Sequence, residues 1–133
     1  MSRLGARRSR SDRGASSLEL AVLGPTVIAL SLIVVQFALW YHAQNVAQAA
    51  VEAGARAARA YQATDADGTK AARDMFDTLG GPNVTDGAVR IDPSRTATNI
   101  SLDLHTHSVA LLPGMNIPVN VTAGGPIEQF VAP

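Results

Sequence analysis

Cysteine is absent from the 133 residues. That excludes a disulfide framework, thiolate chemistry and any cysteine-based metal site. Aromatic residues make up only 5 % of the chain. A large self-sufficient core is therefore not expected, and a small domain must be held by its own packing or by partners. No phosphate loop, dinucleotide fingerprint or zinc-protease helix motif occurs, and no nucleophile–base pair can be argued. The chain reads as non-enzymatic, with no cofactor and no small-molecule substrate.

The most telling absence is of charge. From Leu20 to Tyr41 no side chain is ionised at neutral pH. At about 1.5 Å per helical residue this run crosses a bilayer core of about 30 Å. Trp40 and Tyr41 close it, as aromatics do at a membrane–water interface. A secretory signal has a shorter apolar region followed by a small-residue cleavage site, and the only such sites here, around Ala47 and Ala49, lie in a helical pattern. Arg7–Arg8 suggests a twin-arginine signal but lacks the apolar residues that should follow it closely. A buried core helix would need a larger domain around it.

Formal net charge is zero but unevenly placed. Arg3, Arg7, Arg8, Arg10 and Arg13 precede the run, while beyond Tyr41 seven Asp and two Glu outnumber five Arg and one Lys. An apolar run separates the two halves, so this is a topology signal, not a nucleic-acid signal. It predicts a cytoplasmic N-terminus and a C-terminal domain outside.

Within the run, Pro25 removes an amide donor from the Ala21 carbonyl, and Gly24 loosens the helix beside it. A tolerated membrane-helix kink is expected at Gly24 and Pro25. Gln36, the one amide in the second half, could bond across a helix pair or sit near the outer interface.

Helical character continues past Tyr41 through HAQNVAQAAVEAGARAARAYQA, rich in alanine and free of proline. Val46, Ala50, Ala53, Ala57 and Ala60 form one stripe suited to helix packing. A helix from about residue 16 to about 63 would span roughly 70 Å. Thr64 to Thr69 reads as a break, and Lys70 to Leu79 as a short second helix ended by Gly80-Gly81-Pro82. The period then changes. Ala88 to Ile91 is a short strand. Asn99 to Val109 alternates, with Ile100, Leu102 and Leu104 on one face and Ser101, Asp103, His105 and His107 on the other. Turn chemistry at Leu112–Asn116 leads to a second alternation at Ile117, Val119 and Val121, and an edge strand could follow at Ile127–Val131. The fold class is α+β: a long N-terminal transmembrane helix extended outside the membrane, a short second helix, and a small antiparallel hairpin or three-stranded sheet. Residues 1–14 form a basic leader, 15–63 the long helix, and 64–133 the small outer domain.

Asp103, His105 and His107 share one strand face and are weak metal candidates. With no further ligand cluster evident, the wet face of a half-buried strand explains them and no metal is assigned.

The most informative stretch is Arg13-Gly14-Ala15-Ser16-Ser17-Leu18-Glu19. A basic leader ends in glycine, and the apolar segment follows with one carboxylate just inside it. Ser16 and Glu19 also read as a capping box at a helix start. The stretch resembles a prepilin, whose short basic leader ends in glycine before a helix with Glu at the fifth mature position; counted from Ala15, Glu19 is that residue. The chain from Arg13 to Ala60 is similar to the TadE-like family of minor pilins, or pseudopilins, of the tight-adherence (Flp) pilus. Gly14, Glu19, Pro25 and Gly54-Ala55-Arg56-Ala57-Ala58 match that pattern. The regions Leu111–Pro118 and Gly125–Phe130 look like the family's C-terminal domain more loosely. Gln36 departs from it, since many members carry an acidic residue there. The resemblance implies cleavage between Gly14 and Ala15 by a prepilin peptidase, partnership with the pilus assembly machinery and other pilins, and a single pass through the bacterial cytoplasmic membrane with possible entry into the pilus. Glu19 would then pair with the new ammonium of Ala15. Two other readings stay open: an uncleaved single-pass membrane-tethered binding module, and a membrane-anchored metal-binding protein using His105 and His107.

Overall fold

A computed structural model describes residues 11–129, with side chains from 17 onward. Most of the basic leader, and the residues from Phe130 on, lie outside the described residues. The element order is α1 (Ser11–Arg59), α2 (Asp65–Thr78), α3 (Gly81–Val84), β1 (Thr85–Arg95), β2 (Asn99–Ser108) and β3 (Pro118–Pro126), an α+β arrangement with one long helix, a short second helix and one antiparallel sheet. Two units divide the chain, Met1–Val35 and Gln36–Pro133. The boundary falls inside α1, earlier than the 63/64 boundary expected, because the alanine-rich half of the helix supplies core to the second unit.

By length and composition, the helix over Ser17–Arg59 is long and apolar enough to cross a membrane. Leu18, Leu20, Val22, Ile28 and Val34 are each more than half exposed, an arrangement suited to lipid and not to water. Pro25 stands within the helix. The Thr26 hydroxyl donates to the Val22 carbonyl and the Ser31 hydroxyl to Val27, each at 2.8 Å. Both polar side chains are thus satisfied within their own helix, as a hydrocarbon setting requires.

The second unit is a three-stranded antiparallel sheet in the order β1-β2-β3, covered by α2 and the second half of α1. Its inner face carries Ile91, Ile100, Leu102, Leu104, Val119 and Val121, all buried. Ala43, Val46, Ala47, Ala50, Val51, Ala55 and Ala58 join them from α1, and Ala72 and Phe76 from α2. The alternation along Asn99–Ser108 falls as expected, with His105 and His107 exposed. β1 is longer than the segment expected at Ala88–Ile91. Gly87, in the left-handed region, sits at a register shift between Asp86 and Arg90, and Pro93 is tolerated because β1 is an edge strand. The edge strand expected from Ile127 does not form over 127–129. β3 ends at Pro126, and the Ile127 and Glu128 amides donate instead to Thr98 and Arg59 carbonyls.

The helix α2 begins at Asp65, inside the stretch read as a break, because Thr64 and Asp67 form a reciprocal cap. The Asp67 amide donates to Thr64 Oγ1 at 3.2 Å, and the Thr64 amide donates to Asp67 Oδ2 at 2.8 Å. Hydrogen bonds from the Thr64 side chain and then its backbone hold the Asp67 carboxyl below its ordinary range. Arg95, at the end of β1, fastens the turn between the helices. Its guanidinium donates to Asp65 and, at 3.0 and 3.3 Å, to the carbonyls of Ala58 and Ala63, satisfying acceptors that a helix end leaves open.

Candidate functional site: the processing junction and the helix beyond it

Gly14 and Ala15 lie in the helical backbone of α1, with their side-chain surroundings outside the described residues. Ser16 is also within the helix, which is already formed at Ser11. It is therefore not the N-cap of α1 while residues 11–15 are attached, and the capping-box explanation of Glu19 does not apply to this form of the chain. Glu19 is exposed on the helix. Residues 15 and 19 are four apart, so they stand on one helix face.

Gly24 and Pro25 occupy open space: a Cβ built on Gly24 would meet nothing within 4 Å. Gly54 is the reverse. A Cβ there would stand 2.6 Å from the Gly68 carbonyl oxygen, 2.7 Å from the Ala72 Cβ and 2.8 Å from Leu102 Cδ2. A Cβ on Gly68 would stand 2.6 Å from that of Ala58. The two helices therefore touch glycine to glycine above β2. This accounts for the Gly54-Ala55-Arg56-Ala57-Ala58 segment: Gly54, Ala55 and Ala58 are the close-approach face, and Arg56 points outward near Glu52 at 4.0 Å.

The stripe read from the sequence is offset from this face. Val46 and Ala50 are in the core, Ala53 and Ala57 are half-buried, and Ala60 is exposed beyond the helix end. The buried face instead runs through Ala43, Ala47, Val51, Ala55 and Ala58, because the crossing is centred on Gly54.

Gln36 finds its hydrogen-bond partners within its own chain. It is only 1 % exposed. Its Nε2 donates to the Val109 carbonyl at 2.9 Å, and its Oε1 accepts from the Leu111 amide at 2.8 Å. An amide serves both backbone groups at once, whereas a carboxylate could only accept. One turn along, Trp40 Nε1 donates to the Pro118 carbonyl at 3.3 Å. Trp40 is half-buried against the core, while Tyr41 remains exposed. Gln36, Trp40, Gly68 and Arg95 were not legible as a set. The lone amide in an apolar run was the one available signal for Gln36.

Asp103, His105 and His107 are not assembled as ligands. Asp103 accepts from the Thr122 hydroxyl at 2.5 Å, His105 Nδ1 lies 2.8 Å from Asn120 Oδ1, and among the described residues no group of three or more His, Asp or Glu is placed to hold a metal.

An apolar N-terminal helix whose second half enters the core of a small α+β domain defines a class of membrane-anchorable protein with one helix as its anchor. Residues 14–56, roughly a third of the sequence, match the family model described as TadE-like protein. The match begins at Gly14 and takes in Glu19, Pro25 and Gly54. No match is found among curated proteins or solved structures.

Proposed function

We propose that the chain is a pseudopilin: a structural or assembly subunit of a tight-adherence pilus, not an enzyme, released from its basic leader by a prepilin peptidase. The single observation that carries this reading is the TadE-like match opening at Gly14, the glycine before Ala15. In this reading the N-terminus is cytoplasmic, the domain beyond the span is extracytoplasmic, and the partners are the peptidase, the assembly machinery and other pilins.

The chemistry of Glu19 follows from cleavage. Cutting after Gly14 turns the Ala15 amide into an ammonium, one helical turn from Glu19. An unpaired charge deep in a bilayer costs about 2.5–3.5 kcal/mol, so a carboxylate and an ammonium that share a face offset each other's cost. The ammonium of a neighbouring subunit serves equally well and would fix the axial register between two copies. Glu19→Gln keeps the size and removes the charge. The variant is expected to insert and to be cleaved, yet to give few or no pili, with cleavage verified by mass in the same cells. Normal pilus yield from fully cleaved Glu19→Gln protein would remove the charge-pairing mechanism.

A further inference from the structure

Between Ser108 and Ile127 the sequence has no charged residue. The middle of this stretch, residues 109–117, is the loop joining β2 to β3, with the sequence VALLPGMNI. The loop is ordered by its own bonds. The Met115 amide donates to the Leu112 carbonyl at 3.1 Å across a turn with Gly114 in the left-handed region, the Ser108 amide donates to Ile117 at 3.0 Å, and the Val109 amide to Val84 at 3.1 Å. In this turn two large apolar residues are partly exposed: Leu111 at 45 % and Met115 at 39 %.

The depth of the loop is set by its attachment. The Gln36 side-chain amide donates to the Val109 carbonyl and accepts from the Leu111 amide. Gln36 lies inside the uncharged run Leu20–Tyr41, next to the exposed Val35 and Phe37. Tyr41 lies five residues further along the helix, a rise of about 7.5 Å. The loop is thus tied to the helix about 7.5 Å inward of the end of the apolar run, at a level where a spanning helix still meets the interfacial layer. A charge-free turn with exposed Leu and Met suits that layer, where apolar side chains sit about 5–10 Å deep at the boundary of headgroups and acyl chains.

We propose that the β2–β3 loop is a second membrane contact: Leu111 and Met115 seat in the bilayer leaflet at the Tyr41 end of the span, with Gln36 as the strut that holds them there. The inference rests on the reading of Leu20–Tyr41 as a membrane span. Embedding the loop gives the domain two points of attachment, which fixes its tilt on the bilayer before any assembly.

The natural absence of cysteine allows a direct test in the full-length chain. Single variants Leu111→Cys, Met115→Cys, Val34→Cys and Ala97→Cys are labelled with a nitroxide. Ala97 lies in the exposed turn at the opposite end of β2. The labelled protein is reconstituted at low protein-to-lipid ratio in vesicles of phosphatidylethanolamine and phosphatidylglycerol. Collision with lipid-soluble oxygen is compared with collision with a water-soluble nickel chelate. The expected result is a severalfold excess of oxygen over nickel collisions at residues 111 and 115, shallower than at 34, with nickel dominant at 97. Nickel dominance at 111 and 115 with oxygen dominance at 34 would leave the span intact and overturn the loop contact. Nickel dominance at 34 as well would overturn the span and the proposal with it. Exclusion of both reagents at 111 and 115, relieved by adding lipid, would mean that a second copy covers the loop, and this too would overturn the proposal.

Discussion

Two halves of one helix obey different rules. Before Gln36, α1 exposes the large side chains of Leu18, Leu20, Val22, Ile28 and Val34; after it, α1 buries the small residues Ala43, Ala47, Ala50, Gly54, Ala55 and Ala58. Backbone conformation is the same in both. The difference lies in what the side chains must satisfy. A lipid-facing stretch needs apolar bulk all round and tolerates Gly24 and Pro25 in open space. A stretch packed on a sheet and a second helix needs close approach, so bulk on that face is excluded at Gly54. Helix propensity therefore says where α1 runs, while side-chain size says which part of it belongs to the folded unit.

The strongest way to break this comparison is to attack the core that only the second half shares. Leu104 is fully buried in β2, and Leu104→Asp places a carboxylate there without a partner. The second unit is expected to lose several kcal/mol and unfold, read as loss of protease resistance in detergent. His105→Asp, one residue on and on the exposed face, is expected to change stability by no more than about 0.5 kcal/mol. Equal resistance in the two variants would mean the strand phase is wrong.

A glycine pair sharpens the contrast within α1 itself. Gly54→Ala drives a methyl into the Gly68 carbonyl and Ala72 and is expected to cost about 1–3 kcal/mol by thermal melting. Gly24→Ala meets open space and is expected to be neutral or to stabilise the helix by up to about 1 kcal/mol. Equal effects would deny that the two halves differ in packing.

The join between the halves should respond more modestly. Gln36→Glu retains an acceptor for the Leu111 amide but removes the donor to Val109. The expected cost is about 1–2 kcal/mol above pH 7, with faster hydrogen exchange at Leu111 and little change in the strands. Uniform acceleration across the sheet would mean that Gln36 holds more than the loop.

The smallest effect belongs to the Thr64–Asp67 cap. Its hydrogen bonds lower the folded-state pKa of Asp67 below 3.8, so the folded state favours the ionised form. That contribution is full above the unfolded-state pKa and is lost as pH falls through the lowered folded value. Asp67→Asn removes the titration and keeps an acceptor. Its melting temperature is expected to fall less than that of the parent chain as pH drops below 4. An identical acid slope would mean that other carboxylates set it.

How much of this was legible depended on whether a local rule decided the outcome. The apolar run, the alternation of Ile100, Leu102 and Leu104, and the helix stop at Gly80 follow from period and turn chemistry alone. The helix face did not: five alanines can be joined into more than one stripe, and only the contact of Gly54 with Gly68 selects the buried one. β1 was under-read because Gly87 and Pro93 look like breakers, yet an edge strand with a register shift absorbs both. The start of α2 was missed because Asp67 stands where a capping box more often has Glu or Gln. At the junction, Gly14, Ala15 and Glu19 were legible as a pattern, and the TadE-like match covers the same residues. Gln36 was legible only as an anomaly, since its partners are more than seventy residues away.

The account turns on whether the apolar helix stays on the chain after its leader is removed. Intact mass of the protein extracted from membranes, in cells with and without the prepilin peptidase, measures this directly. The predicted result is a species whose first residue is Ala15 when the peptidase is present and one that keeps the residues before Ala15 when it is absent. The full-length mass in both, with normal membrane insertion, would contradict the pseudopilin reading and leave an uncleaved membrane-tethered module in its place.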